Sequence, residues 1–230
     1  MIDIRLQEGS TPIKAQEVTN LLLIPSTTDG GKNPVALEEV HTKDVHLIVV
    51  SEDLTFFSHE HPKKVGTDYS VDLFFPHGGK FLLYCDIKPL NNAPAVIRRT
   101  VEVEGVEKSA QLFQNEVLVS NVGDVSVYLE ESAPGAFKVH ITQDGALVPV
   151  ASLGDYLGAK AHVVMIPLES KEYLHVHPMV EQKTLVLHTT FSAKGIYRAW
   201  VQLLLAGNLY TFDFVLSVKE LPSSQMHSHH

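Results

Sequence analysis

The sequence predicts an all-β fold: two tandem antiparallel sandwiches resembling immunoglobulin or fibronectin type III domains, with few or no helices. Three observations carry this. Short segments rich in Val, Ile, Leu, Phe and Tyr recur between turn signals. No segment sustains a 3.6-residue apolar period with caps, so helices should be few and short. The chain also matches itself when displaced by 116 residues.

At that displacement His46 falls on His162, His59 on His175, His61 on His177 and Pro62 on Pro178. Phe75 falls on Phe191, Gly79 on Gly195, Phe81 on Tyr197 and Tyr84 on Trp200. A displacement of 115 aligns the upstream part, Asp29-Gly30 with Asp144-Gly145 and Pro34-Val35 with Pro149-Val150. The period is too long for a solenoid and suits two domains. The expected boundaries are 1–106 for the first sandwich, 107–115 for a polar linker, 116–220 for the second sandwich and 221–230 for a flexible His-containing tail.

Turns are expected at Asp29-Gly30-Gly31, Pro76-His77-Gly78-Gly79, Asn91-Asn92, Asp144-Gly145 and Gly207-Asn208. Both copies carry Phe-x-x-x-Gly-x-aromatic. The strand after that glycine alternates Phe81, Leu83, Cys85 in the first copy and Tyr197, Ala199, Val201 in the second, all expected to point inward. Cys85 therefore reads as a small core residue. As the only cysteine among 230 residues, it rules out an intrachain disulfide and a Cys-rich zinc module.

A net charge of −9 argues against nucleic acid as a partner. No run approaches the roughly 20 apolar residues of a membrane helix. The first residues lack a secretory pattern, so either the protein is cytoplasmic or an export signal was removed. No phosphate-binding glycine loop or Gly-x-Ser-x-Gly elbow is present. The carboxylate pairs Glu38-Glu39 and Glu130-Glu131 read as solvated charge.

Histidine is the conspicuous residue, with 13 in the chain. Three lie in the tail, and His41, His77, His140 and His188 have no counterpart in the other copy. The remaining six form two copies of His-x12-His-x-His. Ser51-Glu52-Asp53-Leu54 between apolar runs reads as a hairpin with Glu52-Asp53 at its tip. Paired numbers then sum to 105, setting His46 opposite His59 with Cβ atoms about 4.5–5.5 Å apart. His61 lies two residues further on the same face, shared with Ile48, Val50 and Phe57, so that the cluster borders the core. Any even loop length keeps the three rings together. His162, His175 and His177 follow the same arithmetic. Three neutral imidazoles form a facial tripod suited to copper or zinc, with binding that weakens below about pH 6. Pro62 and Pro178 are expected to end the strand.

Two readings follow. The leading one is a non-enzymatic metal-binding protein using His46, His59 and His61 in one domain and His162, His175 and His177 in the other. The rival is a structural or protein-interaction module whose histidines bond to one another or to backbone carbonyls and brace the hairpin. A metalloenzyme would need a general base beside the tripod. Glu60 alternates to the opposite face, and its counterpart is Val176.

His46-Leu-Ile-Val-Val-Ser-Glu-Asp-Leu with His59-x-His61-Pro62, and His175-x-His177-Pro178 followed by Tyr197-Arg-Ala-Trp-Val-Gln202, resemble a little-characterised group of bacterial envelope proteins. These carry the motif in tandem β-sandwich domains, some near copper or other heavy-metal handling functions. The resemblance covers residues 20–106 and 135–219. It implies a periplasmic or extracellular location and supports the fold more than any activity. Copper/zinc superoxide dismutase shares His-x-His on a sandwich, but its other ligands and its cysteine pair are missing here.

Overall fold

Side-chain alternation decides which side of each strand is buried, and the buried sides define two separate cores. The structure, a computed structural model, describes residues 2–7, 12–27 and 34–221. The turn expected at Asp29-Gly30-Gly31 and the tail beyond residue 221 lie outside the described residues.

The chain divides into two compact units, residues 1–112 and 113–230. The first contains β1 (Ile2–Gln7), β2 (Val18–Thr27), β3 (Leu37–Glu38), β4 (Val45–Ser51), β5 (Phe57–Glu60), β6 (Lys63–Val65), β7 (Asp68–Phe74), β8 (Gly79–Pro89) and β9 (Ala95–Val103). One sheet has the order β1-β2-β7-β6, and the other β3-β8-β4-β5 with β9 also paired to β8. The second unit contains β10 (Val119–Val122), β11 (Val125–Ala133), β12 (Ala136–Gln143), β13 (Ala146–Leu147), β14 (Leu153–Gly154), β15 (Ala161–Pro167), β16 (Leu174–Val176), β17 (Met179–Glu181), β18 (Thr184–His188), β19 (Gly195–Leu205) and β20 (Asn208–Val218). Its sheets run β10-β11-β12-β18-β17, with β13 on β12, and β14-β19-β15-β16, with β20 on β19. Every strand pair among the described residues is antiparallel. Among the described residues the helical content is one 3₁₀ turn, Val150–Ser152. The fold is thus the tandem, immunoglobulin-like all-β class that the sequence predicts.

The 116-residue displacement carries β4 onto β15 and β8 onto β19, end to end. Inward residues alternate as expected. Val45, Leu47 and Val49 of β4 pack with Phe81, Leu83 and Cys85 of β8 in the first core. Ala161, Val163 and Met165 pack with Tyr197, Ala199 and Val201 in the second. The repeated aromatics form one contact twice: Phe75 meets Phe81 edge-on at 4.8 Å between ring centroids, and Phe191 meets Tyr197 at 4.9 Å. The repeated glycine also has a backbone reason. Gly79 has φ +109° and Gly195 φ +140°, conformations that side chains rarely adopt.

Gly78 answers a different need. A Cβ placed there would lie 2.4 Å from the Gly105 carbonyl oxygen, which belongs to rigid backbone. Gly78→Ala must therefore push these two segments apart. The expected cost is about 1–3 kcal/mol, the range for overpacking, read as a lower urea midpoint.

Cys85 is fully buried, and burial pushes its thiol up to about 12. Thiolate is the reactive form, so native protein at pH 8 should leave this cysteine unmodified by a disulfide reagent. Denaturation in urea should release one full equivalent. Rapid labelling of the folded protein would contradict the packing described.

Candidate functional site

The hairpin that carries the first histidine set is wider at its tip than its sequence suggests. Ser51 N–H donates to the Phe56 carbonyl at 3.3 Å, leaving Glu52, Asp53, Leu54 and Thr55 as a four-residue loop. The Asp53 carboxylate is the cause. It accepts Ser51 Oγ at 2.6 Å, Thr55 N–H at 3.1 Å and Thr55 Oγ at 2.9 Å. Burial raises the Asp53 carboxyl, but these donors and the Gln111 backbone N–H outweigh it and hold it below its ordinary value. Leu54 adopts φ +59° with its side chain fully buried.

The wider tip moves the register by two residues. Ile48, not His46, faces His59, and Leu47 faces Glu60, so paired numbers sum to 107. His46 thus falls opposite His61 rather than His59. The second hairpin has the same offset, with Val164 facing His175 and Val163 facing Val176. Because the change is even, the three rings of each set remain on one face. Strand pairing in β5 and β16 stops before His61-Pro62 and His177-Pro178.

That face is also not the one that borders the sandwich core. The core takes Val45, Leu47 and Val49, so His46, Ile48 and Val50 point from the other side of β4. His46 is nevertheless 3% exposed and His162 1%.

All six predicted histidines come together in two triads. Within each, one nitrogen from every ring lies within 4.8 Å of the others. The ring centroids are 5.5, 5.2 and 4.6 Å apart for the pairs 46–59, 46–61 and 59–61. The matching values in the second domain are 5.4, 4.5 and 4.6 Å. His46 Nδ1 lies 3.2 Å from His59 Nε2, and His162 Nδ1 lies 3.2 Å from His175 Nε2 and 2.9 Å from His177 Nε2. Two nitrogens bound tetrahedrally to zinc at 2.0–2.1 Å stand about 3.3 Å apart, so these separations fit one shared ion.

A tight turn sets the protonation of the central ring in each triad. Val40 and Lys43 exchange both backbone hydrogen bonds, at 2.9 and 3.1 Å, across His41 and Thr42, whose φ values are +50° and +65°. Tyr156 and Ala159 do the same, at 2.8 and 3.1 Å, across Leu157 and Gly158, with φ +50° and +78°. These are mirror-image hairpin turns in which both central residues have positive φ. The Val40 carbonyl is 3.0 Å from His46 Nε2, and the Tyr156 carbonyl is 2.8 Å from His162 Nε2. A carbonyl only accepts, so Nε2 carries the hydrogen and Nδ1 of the neutral ring presents its lone pair to the other two rings. Carbonyls orient metal-binding histidines in this same way.

Sequence reasoning missed these two carbonyls, and also the residues flanking each triad. Across the β4–β8 ladder His46 faces Asp86, and across β15–β19 His162 faces Gln202. Gln202 is 6% exposed, and its Nε2 donates to Thr211 Oγ at 3.0 Å. The 116-residue alignment pairs Asp86 with Gln202, which was the available signal, but only the ladder shows that both adjoin the histidines.

The other histidines stand apart from the triads' nitrogen clusters. His140 bonds Glu130 at 2.7 Å, and His188 bonds Glu181 at 3.0 Å, both partly exposed. His77 Nδ1 donates to the Gly78 carbonyl at 2.7 Å, while its Nε2 is buried without a hydrogen bond. The His41 ring lies 6.3 Å from that of His46, in the turn that bonds it.

Fold and site define a tandem β-sandwich protein with one buried-edge histidine triad per domain. The chain belongs to the family described as Domain of unknown function (DUF8832), whose model matches residues 2–105 and again 120–220. No curated protein matches it in sequence. Among solved structures it is similar to a Salmonella alpha-2-macroglobulin reacted with methylamine, at 12% identity and TM-score 0.31, over 94% of this chain and 15% of that one. It is also similar to a bacterial ice-binding adhesin, at 12% identity and TM-score 0.29, over 94% of this chain and 63% of that one. Titin domains match at 11% identity and TM-score 0.27, over 95% and 99%. No helix among the described residues is long and apolar enough to cross a membrane.

Proposed function

We propose that each domain binds one copper or zinc ion through its three imidazoles, and that the protein holds metal in the bacterial envelope without turning over a substrate. One observation carries this reading: the same three-nitrogen cluster, with the same carbonyl bonded to its central ring, occurs twice. A brace needs only pairwise hydrogen bonds. In the second triad two ring nitrogens instead converge on the single lone pair of His162 Nδ1. One in-plane lone pair serves two donors poorly, whereas a cation accepts a lone pair from each ring. The envelope location rests on the sequence resemblance.

The test is calorimetric titration of the full chain with its tail histidines replaced (His227→Ala, His229→Ala, His230→Ala). About two equivalents of zinc or copper should bind at micromolar concentration. Absence of any uptake by this protein sinks the metal reading and leaves the brace.

A further inference from the structure

The two triads are close in geometry but differ in the charge beside them. The residue directly across the ladder from the central histidine is Asp86 in the first domain and Gln202 in the second. Directly opposed residues in an antiparallel pair have Cβ atoms about 4.5–5.5 Å apart, so this residue is an immediate neighbour of the triad on the same face. The strand neighbour between the paired histidines also changes, from Glu60 to Val176, though it points to the opposite face. The residue after Pro62 is Lys63, and that after Pro178 is Met179. Asp86 and Glu60 are negative and Lys63 is positive, while all three counterparts are uncharged; only Asp86 shares the face of the triad by strand pairing.

Charge at this distance discriminates between ions. Three neutral imidazoles leave the full ionic charge uncompensated. A carboxylate beside a divalent ion gains about twice the Coulomb attraction that it gains beside a monovalent one. Carboxylate oxygen also favours harder divalent ions, while imidazole alone suits several metals. Beside the second triad the Gln202 amide adds no charge and is held by Thr211 in a nearly buried position. A site of that kind carries less penalty for a singly charged ion and offers less to a doubly charged one.

On the reading that the triads are metal sites, we infer that they are matched to different ions. The His46/His59/His61 site takes a divalent cation with Asp86 as its counter-charge, and the His162/His175/His177 site takes a monovalent soft cation, Cu(I). The protein then holds two charge states of transition metal on one chain.

The experiment uses full-length chains with the tail histidines replaced and one triad disabled. Chain one carries His175→Ala and His177→Ala, and chain two carries His59→Ala and His61→Ala. Zinc is titrated calorimetrically. Cu(I) is measured anaerobically by competition with a chromophoric cuprous chelator. The ratio of zinc to Cu(I) affinity should be at least about tenfold higher in chain one, as outer-shell partners typically change metal affinity 10–100-fold. Adding Asp86→Gln to chain one should lower its zinc affinity about tenfold and leave Cu(I) within about threefold, which also reports that the variant is folded. Adding Gln202→Asp to chain two should raise its zinc affinity. Equal ratios in the two chains, or ratios that neither exchange moves, overturn the inference while leaving metal binding intact. Failure of both chains to bind either ion overturns the proposed function itself.

Discussion

A chain carrying His46→Ala and His162→Ala should lose metal binding at both sites by more than about a hundredfold. Removing an outer-shell partner alone typically costs 10–100-fold, and here the ligand that the outer carbonyl orients is itself removed. His46 and His162 are the decisive positions because their tautomer is set by the Val40 and Tyr156 carbonyls. The same substitution removes one of the two hydrogen bonds that each carbonyl accepts, at a further expected cost of about 0.5–1.5 kcal/mol in stability per site. Thermal unfolding separates the two readings of the triad. If zinc binds at about 1 μM, then 100 μM zinc stabilises the native protein by about 2.7 kcal/mol per site, a rise in Tm on the order of 10 °C. The parent should show that rise and the double variant should not. A parent whose Tm ignores zinc and copper, beside a variant that melts lower under all conditions, would identify the triads as braces.

Phe81→Ala should cost about 3–5 kcal/mol, the usual price of emptying an aromatic site in a core. Phe81 is fully buried, meets Phe75 at 4.8 Å and Phe56 at 5.8 Å between centroids, and lies 5.1 Å from the His77 ring. These three neighbours come from two separate segments, residue 56 and residues 75–77, so the cavity cannot collapse by moving one of them. Set against a typical domain stability of 5–15 kcal/mol, the loss should shift the urea midpoint of the first domain strongly. Tyr197→Phe at the matching position of the second domain is the control. It removes only a hydroxyl that donates to the Ala193 carbonyl at 2.8 Å, and should cost about 1 kcal/mol. Comparable losses for both substitutions would mean that the aromatic pair is not a keystone of the core.

The repeat, the fold class and the six histidines were legible because each depends on spacing along the chain. The 116-residue displacement is visible in rare residues such as Pro62, Phe75 and Gly79. The common face of His46, His59 and His61 follows from parity alone. What was not legible depends on side chains acting across the chain. The two-residue register change arises because Asp53 gathers Ser51 and Thr55 into a wider loop, and strand patterning cannot report that. The Val40 turn was hidden because His41 and Thr42 occupy positive φ without the Asn-Gly or Asp-Gly that announces such turns. Asp86 became a neighbour of His46 only once β4 and β8 were known to pair. The side of the sheet was misjudged because Ile48 and Val50 are as buried as core residues, with both at 0% exposure, although they point away from the sandwich interior.

The shared register of the two hairpins limits how their tips can diverge. In the first domain four residues lie beyond the last paired bond, from Glu52 to Thr55; in the second, the β15–β16 pairing stops at Met165 and Leu174, with 166–173 between them. Both intervals are even. A change in either tip that slid the pairing register by one residue would turn the downstream His-x-His through the sheet, while a slip of two would leave its facing unchanged. Natural variants and engineered grafts should therefore keep the triad only where the register moves in steps of two, so that strand pairing behaves as a reading frame for the site.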